Sequence, residues 1–137
     1  MAPDDAALRR ILDQTRTVAV VGISANPARP SHEVYTYLAA ASPYRFFLVN
    51  PTFSELDGVP VYPSLAALPA TPDLVDVFRR RDQLPGVLTE ALALTPRPAT
   101  LWLQSGLRDE QVARDGEAAG LQVVMDRCLK VEYARLG

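Results

Sequence analysis

Guanidinium groups and short polar side chains, rather than acid–base pairs, are the chemically capable residues of this sequence. The segment Gly22-Ile23-Ser24-Ala25-Asn26-Pro27-Ala28-Arg29-Pro30-Ser31 combines one glycine, the polar donors Ser24, Asn26 and Ser31, and a fixed positive charge at Arg29. A loop of this kind between a strand and a helix cradles an anion with backbone N–H groups and the helix N-terminus. The dinucleotide fingerprint G-x-G-x-x-G fails here, because Ser24 and Pro27 stand in the places of its second and third glycines. The densest basic run is Phe78-Arg79-Arg80-Arg81-Asp82. In it Phe78 can offer an aromatic face to an adenine ring and Arg79 a fork to phosphate oxygens. Asp82 reads as a helix N-cap rather than a catalytic acid.

Three further clusters complete the inventory. Asn50-Pro51-Thr52 lacks the acidic residue that dinucleotide-binding domains place at this point for the ribose hydroxyls, and its neutrality tolerates a phosphorylated ribose. The same residues also read as a turn initiator. In Trp102-Leu103-Gln104-Ser105-Gly106, Gln104 and Ser105 can donate and accept hydrogen bonds, while Trp102 reads as core. Asp126-Arg127-Cys128 reads as a structural charge arrangement beside a thiol. His32 is the sole histidine and Cys128 the sole cysteine, so no disulfide, Cys-based zinc site or His-rich metal site can be built within the chain. His32 reads as a surface or capping residue, and Cys128 as an inert thiol unless Arg127 stabilises its thiolate.

These clusters all follow apolar runs. Thr17–Ile23, Arg45–Asn50, Leu74–Phe78, Thr100–Gln104 and Leu121–Met125 are five candidate strands of the kind buried on both faces. Helical segments alternate with them: Asp5 to Gln14, His32 to Ala41 opened by Ser31, Gln83 to Leu94 opened by Asp82, and Leu107 to Ala119 closed by Gly120. Val59 to Ser64 reads as a short extended piece leading into a short helix capped by Ser64. The alternation predicts a doubly wound, Rossmann-like α/β sheet of about five parallel strands with helices on both faces. Such a sheet binds ligands outside the carboxyl ends of its strands, where every cluster above lies.

The 137 residues, 48% hydrophobic and 22% charged, fit one domain with a core of its own. A net charge of −2 argues against a nucleic-acid partner. No run approaches the ~18 apolar residues of a membrane span, and the N-terminus has no apolar leader, so the expected location is the cytoplasm.

Taken in order, Val20-Val21-Gly22-Ile23-Ser24 with Arg29-Pro30-Ser31, Val49-Asn50-Pro51, Val75-Asp76-Val77-Phe78-Arg79, Leu101-Trp102-Leu103-Gln104-Ser105-Gly106 and Val124-Met125-Asp126-Arg127-Cys128 carry a resemblance. The chain resembles the small proteins of the YccU-type CoA-binding family, whose domain is similar to the CoA-binding domain of the succinyl-CoA synthetase α subunit and of ADP-forming acyl-CoA synthetases. The resemblance implies a ligand, coenzyme A or an acyl-CoA. The loop from Gly22 to Ser31 would face its phosphates and pantetheine through Ser24, Asn26 and Arg29. Phe78 and Arg79 would line the adenine side, and Leu103, Gln104 and Ser105 match strand-end positions that touch CoA in the synthetase domain. Asn50 would stand at the second strand end. The family tends to carry a lysine where this chain has Thr52, so the 3′-phosphate would fall to Arg79 or Arg80. A disulfide between Cys128 and the CoA thiol is the reactive variant of this reading.

Two other functions stay open on the sequence. One is an NAD(P)-binding, oxidoreductase-like protein, weakened by the missing glycines and by Asn50. The other is a partner subunit of an ADP-forming acyl-CoA synthetase, although the phosphorylated histidine and nucleotide-grasp domain of that chemistry are not evident.

Overall fold

Each of the five apolar runs is a strand in the computed structural model, which describes residues 2–137. The elements are α1 (Asp5–Gln14), β1 (Thr17–Val21), α2 (Pro30–Ala41), β2 (Arg45–Val49), β3 (Glu55–Leu56), β4 (Val59–Tyr62), β5 (Leu74–Val77), α3 (Leu84–Leu92), β6 (Thr100–Leu103), α4 (Glu110–Ala118), β7 (Gln122–Val124) and α5 (Leu129–Leu136). They form one sheet in the order β3-β4-β2-β1-β5-β6-β7. All neighbouring pairs are parallel except β3 with β4. The six parallel strands thus have the Rossmann order, and the order reverses between β1 and β5.

Alternate strand residues separate the core into two layers. Val18 and Val20 of β1, Leu74 of β5 and Trp102 of β6 pack with Leu8 and Ile11 of α1, Leu38 of α2 and Leu129 of α5. Ala19, Val21, Val75, Val77 and Leu101 pack with Leu84, Val87 and Leu88 of α3 and Val112 of α4. The period-2 alternation of side chains makes this division automatic once helices cover both faces. Among the described residues no helix is long and apolar enough to cross a membrane.

Several local expectations need correction. The sheet gains β4, which pairs parallel with β2, and β3, joined to β4 by a tight turn at Asp57-Gly58 with φ of 50° and 82°. Two successive positive φ values make the turn that matches strand twist in a two-residue hairpin. Ser31 does not open α2. Arg29 is the N-cap residue, and Pro30 fills the first turn, where a missing N–H costs nothing. Asp82 does not cap α3 either: it lies in a 3₁₀ turn at Arg81–Gln83 and pairs with Arg80 at 3.5 Å. Ser64 precedes a 3₁₀ turn, Leu65–Ala67, without a side-chain capping bond. The helix read from Leu107 begins at Glu110, because Asp109 accepts from the N–H groups of Gln111 and Val112 at 3.0 Å each.

Candidate functional site

The reversal of strand order places the ends of β1 and β5 side by side with their following loops diverging. Gly22 makes that junction fit. It has φ of +90°, and a Cβ there would collide with the carbonyl oxygen of Phe78. Its N–H and that of Ile23 both donate to the Val49 carbonyl, at 2.9 and 3.3 Å, while the Phe78 N–H donates to Val21 at 2.8 Å. Three strand ends are thereby held in register around one opening.

That opening is a cavity of about 670 Å³, within the roughly 300–1,000 Å³ span of small-ligand sites. Of the residues singled out from the sequence, Gly22, Ser24, Arg29, Ser31, Asn50, Phe78, Arg79, Gln104 and Ser105 line it. Asn26 and Leu103 do not. Asn26 is exposed, and Leu103 is buried with the α3 and α4 layer. Arg80 and Arg81 also lie outside the wall: Arg80 faces Asp82, and Arg81 Nε donates to the Arg108 carbonyl at 3.0 Å. His32 is half-buried beside Thr36, with its Nδ1 3.4 Å from Thr36 Oγ1, and is not part of the wall.

The first loop is braced by its own side chains. Ser31 Oγ accepts from the Ser24 N–H, Ser24 Oγ from the Asn26 N–H, and Asn26 Oδ1 from the Ala28 N–H, each at 3.0 Å. The serine hydroxyls keep their protons for donation to a ligand, because a hydroxyl can accept and donate together. Arg29 follows directly, at the positive end of the α2 dipole.

Asn50 stitches β2 to this loop. Its Nδ2 donates to the Ile23 carbonyl at 2.8 Å, and its Oδ1 accepts from the Thr52 N–H and Thr52 Oγ1 at 2.8 and 2.7 Å. On the far side, buried Gln104 accepts from the Leu129 N–H at 3.1 Å through Oε1, which leaves its amide N–H groups uncommitted. Asp126 does not pair with Arg127. It adopts φ of 57°, accepts from the Gly106 N–H at 2.7 Å and faces Arg108 at 3.8 Å. Arg127 turns instead to buried Glu132 at 3.1 Å.

Residues without a polar signature in the sequence complete the wall. Val34 and Phe53, from one core layer, and Leu107, from the other, are its apolar members, and Cys128 stands at the start of α5. Glu33 lies at the rim. The Lys130 ammonium, at 2.7 Å, holds its carboxyl below the usual carboxylate range. A strand-end rule finds the polar members of such a wall. The apolar members, delivered by a helix and a loop from elsewhere, carry no comparable signal.

One buried charge stands within the sheet itself. Asp76 sits in β5 between Val20 and Trp102, fully buried, with both carboxylate oxygens lacking a hydrogen-bond partner. Burial, which penalises the charged form, pushes its pKa well above the ordinary value.

Comparison with known proteins agrees with this architecture. Residues 16–134 match the model of the family described as CoA binding domain. The uncharacterized protein YneT of Bacillus subtilis (strain 168) is 40% identical over 132 residues, which cover 96% of each chain. The structure of cell-free ID.343 from Thermus thermophilus is 43% identical and superposes with a TM-score of 0.90 over 98% of this chain and 100% of that one. At the level of fold alone, the chain is also similar to a dinucleotide forming acetyl-coenzyme A synthetase 1 of Ca. Korarchaeum cryptofilum. That likeness has a TM-score of 0.73 and 21% identity, and covers 85% of this chain and 26% of the synthetase.

Proposed function

Because the chain belongs to the CoA-binding domain family, we propose that its cavity binds coenzyme A or an acyl-CoA and performs no reaction on it. The observation that carries this reading is convergence. Arg29, Phe78, Arg79, Gln104 and Ser105 come from the loops after β1, β5 and β6 and line one cavity. Two guanidinium groups suit the phosphates as bidentate donors, the Phe78 ring suits a base, and the side formed by Val34 and Phe53 suits the pantetheine chain.

The supporting chemistry is that of a binder. A nucleophile needs a base within hydrogen-bond reach and a third group to orient that base. Among the described residues the wall holds no histidine to serve Ser24, Ser31, Ser105 or Cys128, and His32, which follows Ser31 in the chain, lies beside Thr36 outside the wall.

Isothermal titration with CoA, acetyl-CoA, NAD and ATP tests the proposal. CoA and acetyl-CoA are expected to bind most tightly, and tighter binding of NAD would overturn it. Arg79→Ala is expected to weaken CoA at least about tenfold, the loss of one charge-assisted pair. Unchanged affinity would reject the role given to Arg79.

A further inference from the structure

The sole cysteine of the chain, Cys128, lies in the cavity wall, and it is held there by its neighbours. Three successive residues of β6 grip the two residues that flank it. The Arg127 N–H donates to the Leu103 carbonyl at 3.3 Å, Trp102 Nε1 to the Arg127 carbonyl at 2.8 Å, and the Leu129 N–H to Gln104 Oε1 at 3.1 Å. Cys128 itself is half-buried, and its side chain makes no capping bond to α5. Neither cation beside it is left to draw a phosphate: Arg127 pairs with Glu132 at 3.1 Å and Lys130 with Glu33 at 2.7 Å.

A second feature of the same wall calls for an occupant. Gln104 is only 6% exposed, yet it lines the cavity, and its Nε2 has no partner among the described residues. A donor so buried is costly until an acceptor enters the cavity to meet it. The thiol-bearing arm of CoA is neutral and ends in an amide joined to its sulfur by an ethylene link. That amide carbonyl is the acceptor Gln104 lacks, and because Oε1 of the same side chain holds the residue after Cys128, a carbonyl bound at Nε2 brings the ligand's sulfur towards Cys128. Resting on the CoA reading, we propose that Cys128 is a covalent capture site for oxidised CoA, exchanging with CoA disulfide and retaining one CoA as a mixed disulfide. The Cys128 thiolate attacks one sulfur of the ligand. The new bond from Sγ forms as the ligand's S–S bond breaks, and the second CoA leaves as a thiolate that takes up the proton given up by Cys128. One thiol and one disulfide stand on each side of the exchange, so no further oxidant enters. Capture is stoichiometric, and a free thiol reverses it.

The test is the rate of adduct formation when the reduced full chain, freed of reductant, meets CoA disulfide or glutathione disulfide at one pH and one concentration. Intact-mass spectrometry reads the adduct, which a single cysteine locates without ambiguity. CoA disulfide is expected to react at least about tenfold faster than glutathione disulfide, because binding raises the effective concentration of its sulfurs at Cys128. Acetyl-CoA, which has no thiol, is expected to slow capture about tenfold when held at ten times its dissociation constant, the factor by which it occupies the site. Equal rates for the two disulfides, or capture indifferent to acetyl-CoA, would show a thiol that reacts as any exposed cysteine does, and overturn the inference. Absence of an adduct in protein that binds CoA by calorimetry also overturns it, and leaves the CoA reading intact. Absence of both adduct and CoA binding overturns the CoA reading and this inference with it.

Discussion

The face of the sheet under α3 and α4 and the face under α1, α2 and α5 are made from alternate residues of the same strands, yet their chemistry differs. The first is aliphatic throughout its buried core, from Ala19 and Val21 to Leu101 and Leu103. The second buries Trp102 and Tyr44 along with Asp76, Gln104 and Glu132, and the cavity opens at its carboxyl edge. Most of these polar groups are satisfied: Trp102 Nε1 donates to the Arg127 carbonyl at 2.8 Å, the Tyr44 hydroxyl to the Leu12 carbonyl at 2.7 Å, and Glu132 is held by Arg127 and Arg135. Asp76 is the exception. The difference assigns separate work to the two faces. Aliphatic packing supplies stability without directing a ligand, while the polar face accepts a folding cost and fixes the loops that surround the cavity.

A pair of glycines breaks this comparison most sharply. Gly22→Ala would force a side chain into φ of +90° and against the Phe78 backbone, which cannot move without parting β1 from β5. The expected loss is about 4 kcal/mol or more, with CoA binding abolished in whatever folded protein remains. Gly116→Ala on α4 meets only side chains, Val123 Cγ2 at 2.8 Å and Leu88 Cδ1 at 3.6 Å. An overpacked position of this kind costs about 1–3 kcal/mol. Thermal denaturation should therefore show a shift for both variants, while calorimetry shows unchanged CoA affinity for Gly116→Ala alone. Weakened binding in Gly116→Ala would mean that the aliphatic face also directs the ligand.

The sequence disclosed the two faces unequally. The parallel strands were legible because β-branched runs buried on both faces have few alternatives. The β3–β4 hairpin is signalled only by Asp57-Gly58, a dipeptide such turns require, because its strands are too short to show a periodic pattern. Helix α5 carries no clear apolar stripe in the sequence, because its inward side includes Glu132, a charge that Arg127 and Arg135 make tolerable there. Ser31 and Asp82 have the residue types of helix caps, but capping depends on the local run of the chain. Here Pro30 and a 3₁₀ turn had already set the helix starts. At the site, strand-end position located the arginines. It could not tell which of three consecutive arginines faces inward, since that depends on where Asp82 and the Arg108 carbonyl lie in space.

Asp76 offers a subtler break, on the polar face alone. Its pKa is raised in the folded protein by burial, so below the unfolded value of about 4 the group is neutral in both states and its contribution is fully retained. Above that pH the unfolded chain loses the proton and the folded chain keeps it. Stability then falls as pH rises towards the folded value, by up to about 1.4 kcal/mol per pH unit for one proton. Asp76→Asn removes the ionisation and should flatten this decline, measured as urea denaturation midpoints from pH 4 to pH 8. An identical slope in the two proteins would show that Asp76 is ionised, and therefore partnered, in the folded state.

The smallest expected effect is the most local one. Arg79 and Arg80 are adjacent, but Arg79 is half-buried in the cavity wall, while the Arg80 side chain is 77% exposed and directed at Asp82. An exposed pair of this kind contributes little, because water and salt screen it. Arg80→Ala should therefore leave the melting temperature within about a degree and CoA affinity within about twofold. Affinity lost equally in Arg79→Ala and Arg80→Ala would have a different physical meaning. The ligand would then be attracted by the summed charge of the run rather than held by one fork. In that case the loss in both variants would vanish together at high salt, whereas a half-buried fork at Arg79 keeps most of its effect there.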